Sequence, residues 1–222
     1  MRRRTTCDAG HATIFLKRTT NDLRRTTIFM LSLDDYLREA EVAHGHLCAG
    51  QVFGVRMAML GLKRLGIEDP QAAYRKRLVT FVEIDRCATD AIGVVTGCRL
   101  GKRALKFRDW GKMAATFIDV ANGKAVRIAA KESSKALARQ MHPELASKNQ
   151  QQMAAYREMA DDDLFTTQWV KVDLPPEEFP GFRAQRIVCE SCGEGINFHR
   201  EVRRDGKVLC RGCAGERYYE IL

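Results

Sequence analysis

Apolar side chains crowd almost every face of residues 49–65, where Val52, Phe53, Val55, Met57, Met59, Leu60, Leu62 and Leu65 precede Gly66. A helix that is apolar nearly all round has to be buried, so this stretch is read as the central helix of the core. Along it Gly50, Gly54, Ala58 and Gly61 recur at i, i+4, i+8 and i+11. Such a stripe of small residues lets another backbone approach closely, either from within the chain or across a dimer seam. Upstream, Ser32 with Asp35 makes a capping box with Asp for the usual Glu and predicts a helix over 33–43.

The periodicity then changes. Residues 78–85 (LVTFVEID) form a β-rich run that reads as a central strand, followed by a short helix over 90–97. Residues 105–109 and 114–120 are the next strands, and Asn122-Gly123 is expected to join the latter to 125–129 through a type I′ turn. Helical composition returns over 131–140 and, after Pro143, over 144–160, with a last strand over 165–172. Helices and mostly antiparallel strands mix here without regular βαβ alternation, so the fold class is α+β. Three of the chain's five prolines fall in Pro175-Pro176-Glu177-Glu178-Phe179-Pro180-Gly181, marking a stiff boundary. The expected organisation is an N-terminal extension over 1–29, an α+β core over 30–174, a linker over 175–182 and a small module over 183–222.

Charge sharpens this division. The net charge is +9, but residues 1–29 carry +5 and residues 183–222 carry +2, which leaves the intervening core close to neutral. A neutral core argues against nucleic acid as its partner. The extension, rich in Arg and in Thr pairs and without sustained periodicity, reads as disordered or dispensable. No apolar run approaches the roughly 20 residues that a membrane span needs, and no secretory signal is recognisable. A cytoplasmic protein without membrane association is therefore expected.

In the last segment, Cys189-Glu190-Ser191-Cys192 and Cys210-Arg211-Gly212-Cys213 give the pattern C-x2-C-x17-C-x2-C. Two thiolate pairs presented from tight turns satisfy tetrahedral zinc with no position left open, so a structural zinc is assigned to Cys189, Cys192, Cys210 and Cys213. Asp205-Gly206 supplies a hairpin turn between the pairs and 214–222 a closing helix, the layout of a treble clef or zinc ribbon. Arg200, Arg203, Arg204, Lys207 and Arg211 offer charge to phosphate, nearly balanced by neighbouring acids.

A second cluster lies ahead of the central helix. His44-Gly45-His46-Leu47-Cys48-Ala49-Gly50 places two of the five histidines and one of the eight cysteines within a few residues. A thiol at a helix N-terminus faces unpaired N–H groups and the positive end of the macrodipole, and imidazole beside thiolate suits zinc, nickel, copper(I) or iron. His46, Cys48 and Cys87 are the catalytic candidates, with His46 and Cys48 also able to hold a second metal. His44 is either an outer partner or a helix C-cap, and Asp90 either a proton acceptor or, better, a helix cap. Cys98, Lys102 and Lys112 are candidate cofactor contacts, Lys102 and Lys112 together with Arg103 meeting an anion.

These residues recur in a recognisable order. The run 44–50, then Gly54-Val55-Arg56-Met57-Ala58, Asp85-Arg86-Cys87-Ala88-Thr89-Asp90-Ala91, Thr96-Gly97-Cys98-Arg99-Leu100-Gly101-Lys102 and Asp109-Trp110-Gly111-Lys112 resemble the FmdE family of formylmethanofuran dehydrogenase proteins over roughly residues 33–130. Cys48-Ala49-Gly50 departs from the family's commoner Cys-Pro-Gly, and Arg86 and Thr89 from its smaller residues around Cys87. The four-cysteine tail looks like the auxiliary zinc finger of some members. The resemblance implies a homodimer and an association with molybdenum or tungsten formylmethanofuran dehydrogenase. Two functions follow: a metal-dependent enzyme or metal-handling protein of one-carbon metabolism, or a non-catalytic accessory protein whose zinc finger docks a protein partner.

Overall fold

The computed structural model of the protein describes residues 30–221, so the expectation for the 1–29 extension lies outside the described residues. Two helices lead: α1 (Leu33–His44) and α2 (Ala49–Leu65). The capping box forms as read, Ser32 Oγ accepting from the Asp35 N–H at 3.2 Å. Gly45 closes α1 with φ +91°, a left-handed turn that a side chain would resist. His44 is therefore the last residue of the helix and not its cap.

β1 (Leu78–Val82), α3 (Cys87–Thr96) and β2 (Leu105–Phe107) follow, then β3 (Ala114–Asp119), β4 (Lys124–Ala130), α4 (Ser133–Met141), α5 (Lys148–Glu158), the single turn α6 (Asp161–Leu164) and β5 (Phe165–Val170). The strands form one sheet in the order β2-β1-β3-β4-β5. All its pairs are antiparallel except β1 with β2, where α3 serves as the crossover that a parallel pair requires. The β3–β4 connection corrects the type I′ expectation. Asp119 pairs with Lys124, which leaves a four-residue loop in which Gly123, at φ +71°, is left-handed and Asn122 is not. The type I′ geometry occurs instead at Asp205-Gly206, with φ +52° and +74° between paired Arg204 and Lys207.

Strand alternation divides the sheet into two faces. Leu78 and Val82 of β1, Ala115 and Phe117 of β3, and Val126 and Ile128 of β4 join the main core beneath the helices. Val79, Ile118 and Ala125 face the other way, under Val170, Val172 and Leu174. The glycine stripe of α2 is consumed within the chain. A Cβ on Gly54 would sit 2.4 Å from the Ala88 carbonyl oxygen of α3, and one on Gly61 would sit 2.3 Å from the Phe117 ring. It therefore supplies no dimer seam. From α2, Arg56 reaches the C-terminal end of α5, donating to the carbonyls of Tyr156 at 2.7 Å and Met159 at 2.8 Å and pairing with Asp161 at 2.8 Å. A cation at a helix C-terminus meets the negative end of its dipole, so Arg56 fastens α5 to the core.

The proline-rich segment is tied down: Lys106 of β2 pairs with Glu178 at 2.5 Å, and Arg103 donates to the Glu177 carbonyl. Beyond it lie β6 (Ile187–Val188) with β7 (Gly195–Ile196) and the hairpin β8 (Val202–Arg204) with β9 (Lys207–Leu209). The expected closing helix over 214–222 does not form among the described residues. One turn, Gly212–Glu216, stops at Gly215, whose φ of +105° breaks helical geometry. No helix of the described residues is long and apolar enough to cross a membrane.

Candidate functional site

In the C-terminal module the two knuckles bring Cys189, Cys192, Cys210 and Cys213 together, all four sulfurs lying within 4.8 Å of one another. Cys192 and Cys210 are 3.9 Å apart at sulfur, close to the edge of a tetrahedron whose metal–sulfur bonds are about 2.3 Å. The Cys210 N–H points at Cys189 Sγ at 3.2 Å and the Cys213 N–H at Cys210 Sγ at 3.3 Å. Backbone N–H groups of Cys192 and Cys210 hold the Cys189 thiol down at about 6, so its thiolate is ready at neutral pH. The donor set fits zinc and leaves no side open.

The second site is assembled between helices. Gly45 turns the chain out of α1, and Cys48 takes extended backbone (φ −142°) as the N-cap of α2. Its side chain makes no capping bond, so the thiol stays available. Capping comes instead from Asn149 of α5, whose Oδ1 accepts the Ala49 N–H at 3.0 Å. Donor atoms of His44, His46 and Cys48 lie within 4.8 Å of one another. The His44 and His46 rings stand 4.8 Å apart between centroids. His44 Nδ1 is 2.8 Å from Asp90 Oδ2. Asp90 thus binds an imidazole rather than capping α3, whose N-cap is Arg86 without a side-chain bond.

Cys87 opens α3 beside these groups. The Cβ position on Gly50 lies 3.2 Å from Cys87 Cβ and 3.6 Å from Cys48 Sγ, so glycine there keeps the two cysteines adjacent. Buried Gln51 donates to the Cys87 carbonyl at 3.0 Å, while its Oε1 has no hydrogen-bond partner among the described residues. Burial pushes the Cys87 thiol up, and the neighbouring Cys48 thiol adds to the shift. The helix dipole, which favours thiolate, does not win at this position.

Cys98 stands apart. It follows the C-cap of α3, roughly 15 Å along that helix from Cys87 at 1.5 Å per residue. It is buried under β1, accepting from Thr80 Oγ1 at 3.5 Å and donating to the Leu78 carbonyl at 3.6 Å, and burial pushes its thiol up. It packs as a small core side chain. Lys102 is exposed and turns back to the Gly97 carbonyl at 3.4 Å, and Lys112 lies 5.7 Å from the centre of the Trp110 ring. A cavity of about 360 Å³ opens at Ala49 and Gly50, next in the chain to Cys48, with Arg86, Lys131, Glu132 and Lys135 on its walls. Arg86 has a signal in its place beside Cys87; the residues from the start of α4 have none, since only the fold brings them there.

Known proteins share both parts. Residues 43–166 match the family described as FmdE, molybdenum formylmethanofuran dehydrogenase operon, and residues 184–219 match the prokaryotic dksA/traR C4-type zinc finger. A probable S-adenosyl-L-methionine-binding protein of Archaeoglobus fulgidus is 31% identical over 207 residues, covering 84% of this chain. The chain spans 54% of that relative's length. The crystal structure of a tungsten formylmethanofuran dehydrogenase FmdE-like protein from Syntrophus aciditrophicus has a TM-score of 0.58 at 21% identity, over 86% of this chain and 96% of that one. At that identity the likeness establishes a common fold.

Proposed function

Because the chain belongs to the FmdE family and carries a C4-type zinc finger, we propose that it is a metal-dependent component of formylmethanofuran dehydrogenase or related molybdenum or tungsten one-carbon metabolism, with His44, His46 and Cys48 holding the working ion. The observation that carries this reading is the convergence of two imidazoles and one thiol within 4.8 Å, with a cavity opening at Ala49 and Gly50, the residues that follow Cys48 in the chain. Three protein donors leave a coordination position for substrate, as catalytic sites do and four-thiolate sites do not. A bound ion would supply a Lewis acid at that position.

The surrounding residues have separate tasks. Asp90 occupies Nδ1 of His44, fixing the ring and leaving Nε2 as its donor. Cys87 keeps a protonated thiol beside Cys48, which suits it to give or take a proton rather than to act as a standing thiolate. Arg86, Lys131 and Lys135, opposed by Glu132, favour a small anionic or zwitterionic ligand in the adjoining cavity. S-adenosylmethionine, with its carboxylate and ammonium, is the first such ligand to try, given the name of the Archaeoglobus relative.

Metal content per chain on anaerobically purified protein tests the site. The wild type is expected to hold an ion beyond the zinc of the four cysteines and the Cys48→Ser variant to lose it. Zinc alone in both proteins after metal re-addition would overturn the reading and favour an accessory protein that docks through its zinc finger.

A further inference from the structure

A second cavity, of about 720 Å³, lies between edge strand β2 of the core and the zinc-finger module, and no part of the core thiol site enters it. Among the described residues five cations line it: Arg103, Lys106 and Arg108 from the core, Arg200 and Arg211 from the module. Glu178 is the one carboxylate that the described residues place on its walls and is shared, 2.5 Å from Lys106 and 3.8 Å from Arg200. Arg211 has Glu216 at 3.7 Å on the exposed rim, and Arg108 has a backbone carbonyl, that of Phe107, at 3.0 Å. Positive charge is in clear excess.

Arg103 is the strongest sign that this charge is meant to be met. Its guanidinium stacks 3.9 Å over the Phe198 ring and donates to the Glu177 carbonyl. Nε and Nη1 are nonetheless buried without a hydrogen-bond partner among the described residues. A guanidinium always carries its charge, and leaving its donors buried and unpaired is costly. The fold also holds Arg103 at φ +59° and Phe198 at φ +63°, left-handed conformations that disfavour side chains. The extension over 1–29 carries +5 and so has no net negative charge with which to neutralise the cleft.

We propose that this cleft binds a small ligand bearing adjacent phosphates, of the nucleoside di- or triphosphate class. Its volume suits one such molecule, and Leu100, Leu105 and Phe107 give apolar wall for the uncharged part. Guanidinium forks match phosphate oxygens in pairs, which favours phosphate over a lone carboxylate. The site spans core and module, so an occupant would lock the two together.

Isothermal titration of the zinc-loaded full chain with ATP and with pyrophosphate tests this, alongside a short single-stranded oligonucleotide. ATP and pyrophosphate are expected to bind with one-to-one stoichiometry and to weaken with added salt. Arg108 and Arg200 are both exposed, and zinc content and circular dichroism report whether their replacement leaves the fold intact. Arg108→Gln together with Arg200→Gln is expected to lower affinity by at least about tenfold. Arg203→Gln with Lys207→Gln, on the β8–β9 hairpin outside the cleft, is expected to leave it unchanged. Absence of ATP and pyrophosphate binding, equal weakening by both double variants, or binding of the oligonucleotide alone would each overturn the proposal.

Discussion

The zinc-finger cysteines and the core cluster are both sulfur-bearing sites, but they are put together differently. The module draws every donor from residues 189–213, and its own tight turns aim N–H groups at the sulfurs. The core cluster takes His44, His46 and Cys48 from one short bend and depends on Asp90 and Cys87 of α3 and on Asn149, which lies 100 residues from the N–H it caps. The first site makes its surroundings; the second is made by them. A closed shell with no free face suits a structural role, and an open triad beside a cavity suits chemistry.

That contrast is broken most forcefully by taking away the module's metal. Chelation, or Cys210→Ser, is expected to cost the module on the order of 10 kcal/mol of metal-linked stability. Amide exchange should then lose protection over 187–216 while α2 and β3 keep theirs; loss of protection in α2 would show that the two sites are not independent. In the core, the largest disturbance is expected from a residue that is no ligand at all. Gly54→Val would drive a side chain into the Ala88 backbone and is expected to cost at least about 3 kcal/mol in urea denaturation, with separation of Cys48 from Cys87. Asp90→Asn tests the outer partner of His44, and a loss of about 10–100-fold in core metal affinity is expected with the zinc of the module unaffected.

The smallest effect separates Cys98 from both sites. Burial raises its thiol pKa in the folded state above the ordinary 9.0. As pH rises through that ordinary value, the unfolded chain releases the proton first, so unfolding becomes easier. The stabilising contribution is full below pH 9.0 and is lost as pH climbs through the raised folded value. Cys98→Val is expected to flatten the alkaline limb of a stability-versus-pH curve; an unchanged limb would place the sensitivity elsewhere.

What can be read from sequence follows the same division. The zinc finger is legible because its ligands are neighbours in sequence, and the α1 cap because Ser32 and Asp35 are three residues apart. α2 is legible because its apolar surround leaves no alternative to burial. The Asn122-Gly123 turn misleads because register, set by Asp119 opposite Lys124, demands four loop residues regardless of what the dipeptide prefers. Asp90 resembles a cap because capping is local, and the partner that claims it lies 46 residues away. Cys98 shares a motif with the other cysteines, yet the length of α3 carries it to the opposite end.

The cap that Asn149 provides for α2 also bears on how the protein is born. Residues 44–50 leave the ribosome well ahead of Asn149, whose side chain sits 100 positions beyond Ala49. At a synthesis rate of about 5–20 residues per second, that interval lasts roughly 5–20 s. For that time the nascent chain presents the first turn of α2 without its partner, and the bend that carries His44, His46 and Cys48 meets its complete surroundings only after translation has passed α5.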